Sequence, residues 1–235
     1  LSAGLEHFRD AIVNALVEML RPAGILARHD VAVREREGLT RAVETLYEQV
    51  PRTIEIVESG VRYLAAPHDG QKTGAFLDQR ENRLLAGSVA RGRALDCFSY
   101  HGSFALHLGR RTERVTAVDS SAAALARAQE NAALNALTNV SWHHADVFDF
   151  LRAEEQAKSR YDTIVLDPPA FAKSRASLQS ALRGYHDINL RALRLLAPGG
   201  VLFTASCSYH VTKPLFWEML QGAAADAGRH VTLLA

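Results

Sequence analysis

Three carboxylates follow three short apolar runs: Asp96 in "RALDCFSYHGS", Asp119 in "RVTAVDSS" and Asp146 in "WHHADVFDF". A carboxylate can accept both hydrogen bonds of a vicinal diol, so an acid about 20 residues after a glycine-bearing loop is where a ribose is held. Asp119 stands in that relation to Asp96 and to the loop containing Gly102. Asp146, behind the third run, could accept from the amino group of an adenine. Together the three acids outline a nucleoside. The G-x-G-x-x-G fingerprint that cradles a pyrophosphate is absent, and no cationic cradle replaces it. That argues against NAD and for a cofactor with an adenosine but no phosphate. Any one of these acids could merely cap the helix after it; the expectation rests on three in succession.

The fourth apolar run leaves through "VLDPPAFAKSR". Proline fixes φ and carries no N–H, so Pro168 and Pro169 hold the exit rigid and leave its carbonyls free to accept from a planar base. Asp167 would lie beside the cofactor pocket, and Phe171 could stack on the substrate or wall it off. The plainer alternative is a turn with a capping aspartate. The fifth run ends in "TASCSYH", which puts Cys207, one of two cysteines, just past a strand. A lone cysteine there is usually a small core hydrophobe, whereas a thiolate there is a nucleophile. The fourth and fifth strands of a parallel sheet end side by side, which brings Cys207 toward Asp167 and favours the nucleophile. Cys97, among loop residues beside Asp96, reads as packing.

A regular alternation of helices and short strands must carry these residues. Strands are expected near 93–97, 114–118, 139–145, 161–166, 200–206 and 230–235, and helices over 77–90, 103–110, 121–135, 176–196 and 213–227. Right-handed β-α-β crossovers then give an α/β fold, a parallel sheet with helices on both faces and ligands at the carboxyl ends of its strands. Earlier residues differ in pattern. The spacing predicts a helix over 5–20 that stops near "RPAG", a strand in "ILARHDVAVRE", a short helix or turn in "TRAVETLYEQV", and two β-rich runs joined at Ser59-Gly60. Residues 1–75 are therefore expected to form a small α+β domain and 76–235 the α/β domain, with the joint in "HDGQKTGAF".

Composition narrows the setting. The 235 residues are 48% hydrophobic and 23% charged, with a net charge of +1, enough for one good core and a smaller unit. No apolar run approaches the roughly 18 residues of a membrane helix, and the first residues lack a basic leader with a small-residue cleavage site, so a cytoplasmic location without membrane contact is expected. Two cysteines cannot build a disulfide framework, and no Cys/His spacing suits zinc, so no metal is expected. His143 and His144 would point to opposite faces of a strand. Bulk charge announces no nucleic acid; local candidates for phosphate contact are Lys173, Arg175, Arg183, Arg191 and Arg194. Arg28, Arg34 and Arg36 are diluted by Glu35 and Glu37. Oligomeric state is left open, a homodimer included.

Five stretches in order, "QKTGAFLDQRENR", "DCFSYHGSFALHL", "VDSSAAAL", "LDPPAFAKSR" and "SCSYH", resemble the S-adenosylmethionine-dependent 23S ribosomal-RNA (cytosine-5) methyltransferases, a class I Rossmann-like family. "RHDVAVREREGL" is similar to the small central domain of those proteins. The resemblance implies S-adenosyl-L-methionine as cofactor, large-subunit ribosomal RNA as partner, and residues 76–235 as the methyltransferase domain. It implies cofactor binding by Phe98, Ser99 and Gly102, by Asp119 on the ribose and Asp146 at the adenine, with Asp96 and Asp167 alongside. It gives the "GAFLDQR" segment, with Phe76, Asp78, Gln79 and Arg80, a place at the cofactor side, and it assigns catalysis to Asp167 and Cys207, with Pro168, Pro169 and Phe171 facing the base. Family members usually begin with a further RNA-binding domain and continue into a closing β-hairpin; this chain is expected to be a shortened form.

The chemistry accounts for a thiol. Carbon 5 of cytosine is not nucleophilic in the aromatic ring, so a thiolate adds first at carbon 6 and generates an enamine that can attack a sulfonium methyl. Protonation at ring nitrogen 3, by Asp167 or another acid, assists, and a base later removes the carbon-5 proton. His210 and Lys213 are candidates for lowering the thiol pKa. Two competing readings are a methyltransferase acting on a base nitrogen without a covalent step, and a nucleotide- or RNA-binding module without catalysis.

Overall fold

A computed structural model describes residues 1–69, 75–172 and 174–234, which fall into two units: Leu1–Ile56 with Leu64–Asp78, and Val57–Tyr63 with Gln79–Ala235. Most of the expected joint, residues 70–74, lies outside the described residues, as does Lys173.

In the first unit the helix expected over 5–20 is broken at His7–Phe8 into α1 (Ala3–Glu6) and α2 (Arg9–Leu20). Arg21, in a left-handed conformation, ends α2 just before Pro22, which cannot continue it. β1 (Gly24–Arg28) takes up only the start of "ILARHDVAVRE"; its end forms the single turn α3 (Val33–Arg36). "TRAVETLYEQV", expected as a helix or turn, contains strand β2 (Val43–Glu48), antiparallel to β1. Val43, Thr45 and Tyr47 prefer extended backbone, and the edge of β1 supplies the ladder that decides the matter. Arg34 on α3 is buried and donates to the carbonyls of Leu1 and Thr40 and to Glu6. Its charge holds the start of the chain rather than facing a phosphate. β3 (Ile54–Glu58) and β4 (Val61–Ala65) form a hairpin turning at Ser59-Gly60, both at positive φ, the geometry that matches strand twist in a two-residue turn.

The second unit is built on five parallel strands. α4 (Arg80–Val89) leads into β5 (Arg93–Cys97), α5 (Ser103–Gly109), β6 (Arg114–Asp119), α6 (Ala122–Leu134), β7 (Val140–His144), α7 (Val147–Gln156), β8 (Tyr161–Leu166), α8 (Leu178–Leu195), β9 (Leu196–Thr204) and α9 (Lys213–Asp226). The strand order is β7-β6-β5-β8-β9. Successive residues of β5 serve opposite faces, as strand geometry requires. Leu95 and Cys97 pack with Ile164, Leu166 and with Tyr185 and Ile188 of α8, while Ala94 packs with Val115, Ala117 and with Phe104, Ala105 and Leu108 of α5. The order reverses between β5 and β8, so their carboxyl ends open the crevice where ligands bind in such sheets.

Two expectations for this unit are corrected. α7 was not among the expected helices, yet Val147, Phe148, Phe150 and Leu151 form an i, i+3, i+4 stripe that packs into the core around Val147 and Leu151. The strand expected at 230–235 is absent among the described residues: His230 to Leu234 are unassigned and exposed.

Candidate cofactor and thiol site

The loop after β5 is bent into an unusual path by three positive φ angles, Phe98 at 63°, Tyr100 at 49° and Gly102 at 84°. Side chains favour this region little, so the surroundings must enforce it. They do so with backbone donors. Ser99 N–H donates to the Val118 carbonyl (3.0 Å) and Gly102 N–H to the Ser99 carbonyl (2.8 Å). Tyr100 N–H donates to Asp119 Oδ2 (2.8 Å), while Asp119 Oδ1 accepts from Ser121 N–H (2.8 Å). Asp119 is thus aimed at the loop from the end of β6, half-buried, where the ribose acid was expected.

Asp96 is placed differently from its two companions. It is fully buried and accepts from Ala105 N–H (2.9 Å) at the start of α5. Burial pushes its carboxyl well up, and the charges of Asp167 and Asp119 push the same way. The three carboxylates therefore share one electrostatic field, with Asp96 beneath the loop and Asp119 and Asp167 beside it. Asp146 is exposed and caps α7, its Oδ1 accepting from Phe148 N–H (2.8 Å) and Asp149 N–H (3.2 Å). The cap leaves Oδ2 outside these two bonds.

Asp167 stands at the end of β8, half-buried, and its Oδ1 accepts from Gln79 Nε2 (2.9 Å). Gln79 is itself fixed by Asn82 Nδ2 donating to its Oε1 (2.6 Å). Gln79 thus ties the "GAFLDQR" segment to the end of β8, and Arg80 is exposed and paired with Glu81. Phe76 and Asp78 belong to the first unit. Pro168 is buried and Pro169 exposed. Phe171 is half-buried within a ring cluster, 4.6 Å from Tyr185, 5.8 Å from Phe148 and 6.3 Å from Phe98.

Cys207 is exposed beyond β9, and its Sγ donates to the Pro168 carbonyl at 3.7 Å. Strand pairing explains the approach: Leu166 pairs with Thr204, and Ala205 N–H donates to the Leu166 carbonyl (2.9 Å), so the two exits run together. Cys97 is fully buried, and burial holds its thiol well above the usual range. The two cysteines thus separate by environment, one inert and one accessible. Sequence reading missed the residues beneath Cys207: Tyr185, Ser206 and Ser208 are linked by hydroxyl contacts of 2.9–3.0 Å. The serines flanking the cysteine in "SCS" were the available signal.

Of the basic candidates, Arg191 and Arg194 are paired with Glu155, and Arg191 with Asp187; Arg175 and Arg183 are exposed. Among the described residues no group of three or more His, Cys, Asp or Glu could hold a metal ion, and no helix is long and apolar enough to cross a membrane. The strand-end set does suit a nucleoside cofactor. Asp96 Oδ1, beneath the loop, and Ser99 Oγ, on it, are buried with no hydrogen-bond partner among the described residues, and a buried polar group without a partner is costly.

Comparison with known proteins gives consistent matches. Residues 11–229 match the family described as S-adenosylmethionine-dependent methyltransferase. The chain is 44% identical over 240 residues to the ribosomal RNA large subunit methyltransferase I of Aeromonas hydrophila, covering 100% of this chain and 60% of that protein. It therefore spans about three fifths of the length of that relative. A Streptococcus mutans protein described as a candidate SAM-dependent methyltransferase superposes with a TM-score of 0.79 at 26% identity, over 95% of this chain and 58% of that one. A candidate methyltransferase solved in complex with SAH gives the same score and identity over 94% and 58%.

Proposed function

Because the chain belongs to the S-adenosylmethionine-dependent methyltransferase family, we propose that it is the catalytic part of an enzyme that methylates carbon 5 of a cytosine in large-subunit ribosomal RNA through a covalent Cys207 adduct. The observation that carries the reading is the meeting of two strand exits, with an accessible thiol 3.7 Å from the carbonyl of the Asp-Pro-Pro turn. The RNA assignment is supported by the relative's name, ribosomal RNA large subunit methyltransferase I, and by the stretches that resemble the cytosine-5 family.

When bound, S-adenosylmethionine would supply the methyl group from its sulfonium. Asp119 would accept from the ribose hydroxyls, Asp146 from the adenine amino group, and the loop of Phe98, Ser99 and Gly102 would hold the nucleoside. Asp96 serves from below, holding the start of α5. Pro168 and Pro169 keep the turn rigid, so its carbonyls and Asp167 meet the base in one orientation. Cys207 adds as thiolate to carbon 6, Asp167 in its protonated form donates at ring nitrogen 3, and carbon 5 becomes nucleophilic. Carbon 5 takes the methyl group with release of S-adenosylhomocysteine, a base then takes the carbon-5 proton, the carbon–sulfur bond breaks and the thiolate returns, and ring nitrogen 3 gives its proton back to Asp167.

The test is methyl transfer from labelled S-adenosylmethionine to unmethylated 23S ribosomal RNA, followed by digestion to nucleosides. Label in 5-methylcytidine is expected. Label in an N-methylated purine would overturn the assignment of the base, and no transfer, with the cofactor bound, would favour a non-catalytic module.

A further inference from the structure

Beneath the exposed thiol lies a closed set of hydroxyl contacts. Tyr185, fully buried on α8, accepts from Ser206 Oγ (3.0 Å) and lies 2.9 Å from Ser208 Oγ. Ser208 N–H donates back to Ser206 Oγ (3.3 Å), and Ala172 N–H donates to Ser208 Oγ (3.1 Å). With Ser206 donating to it, the Tyr185 hydroxyl keeps its own proton, which it can give to Ser208. The two serines bracket Cys207, and Ala172 closes the "DPPAFA" loop. The ring is held as well, 4.6 Å from Phe171 and 5.7 Å from Phe216.

We propose that Tyr185, acting through Ser206 and Ser208, is the positioning residue that fixes the Cys207 thiol against the Asp-Pro-Pro turn. The proposal rests on the covalent reading above for its effect on turnover, though not for its effect on the thiol itself. An exposed cysteine on a loop samples many positions. Pinning both neighbours to one buried hydroxyl, and the opposite loop to the same serine, limits its excursions relative to Pro168. A base lying on that turn then meets sulfur at a set distance, the kind of prepaid orientation that raises turnover without adding binding energy. Tyr185 touches neither thiol nor substrate in this scheme, and its contribution is geometric.

The test uses Tyr185→Phe, which keeps the ring packing and removes the hydroxyl, with Ser208→Ala cutting the same set from the loop side should the first variant fold poorly. Cys207 is alkylated with iodoacetamide under native conditions; Cys97, fully buried, stays unmodified. Alkylation is expected to run at least three-fold faster in the variants, since a released loop no longer keeps one side of the sulfur against Pro168. In methyl transfer, kcat is expected to fall at least ten-fold while KM for RNA and affinity for S-adenosylmethionine stay within three-fold. A folded variant with unchanged alkylation and unchanged kcat overturns the proposal, as does a rise in KM alone. Cys207→Ala is run beside it. If that protein methylates at the wild-type rate, the covalent reading fails, and the alkylation rates still decide whether Tyr185 fixes the thiol.

Discussion

Acid should weaken this fold through His101. His101 lies in the loop after β5, buried, its ring stacked on Tyr63 at 5.3 Å and 19°. Burial above all, with the nearby Arg83 charge, lowers its pKa from 6.5 to about 4. The unfolded imidazole takes a proton near pH 6.5 and the folded one does not until about pH 4, so stability falls as pH drops through that window and the loss is complete below it. At about 1.4 kcal/mol per pKa unit the full loss is roughly 3 kcal/mol, of which about 2 kcal/mol is expressed by pH 5. His107, also lowered mainly by burial, adds loss of the same sign. His101→Phe keeps a ring on Tyr63 and removes the titration. Urea unfolding of both proteins at pH 7 and pH 5 isolates the term: the wild type should lose about 2 kcal/mol more than the variant. Equal losses, within about 0.5 kcal/mol, would refute the assignment of acid sensitivity to this ring.

Three further outcomes follow from the same geometry. Asp119→Ala should weaken S-adenosylhomocysteine binding by roughly 1.5–3 kcal/mol in a calorimetric titration, through lost charge-assisted bonds; equal affinity would remove Asp119 from the site. Gly102→Ala puts a Cβ 2.6 Å from the Trp142 ring and 3.1 Å from the Ala128 methyl at a φ of 84°, so thermal or urea melts should show a loss of about 1–3 kcal/mol, and an unchanged midpoint would contradict the close packing of this turn. Glu58 is buried in the second unit; desolvation raises its pKa, but the paired Arg83 at 2.6 Å and the Tyr63 hydroxyl outweigh it and hold the carboxyl down. Glu58→Gln should cost about 3 kcal/mol by removing the carboxylate that faces the buried Arg83 charge, and a cost under about 1 kcal/mol would mean that water or another group replaces the carboxylate.

Much of the α/β frame was legible because parallel strands buried on both faces read as short apolar runs, and their spacing fixed where the carboxyl ends fall. The Asp-Pro-Pro turn and "SCS" could be placed at neighbouring exits for that reason. What escaped was local competition. α7 hides its stripe within ten residues that also carry three acids, and Asp146, expected at an adenine, is the cap that starts this helix. The helix–strand ambiguity of "TRAVETLYEQV" is resolved by the edge of β1, which no local pattern reveals. The burial of Asp96 was equally invisible: strand alternation says that it faces away from Leu95 and Cys97, but only the packing of α5 against that face tells how deep it lies. Tyr185 stands in a helix more than twenty residues before the cysteine it lies under, and sequence gives no sign of that contact.

The most direct test of the covalent account is trapping with RNA that carries 5-fluorocytidine at the target. Fluorine at carbon 5 cannot leave as a proton does, so once methylated the base should stay bonded to sulfur. With S-adenosylmethionine present, a protein–RNA species should survive denaturing electrophoresis, and its crosslinked peptide should contain Cys207; Cys207→Ala should form none and should make no 5-methylcytosine while binding the cofactor as before. An adduct mapped to another residue, or a Cys207→Ala protein that methylates RNA at the wild-type rate, would contradict it.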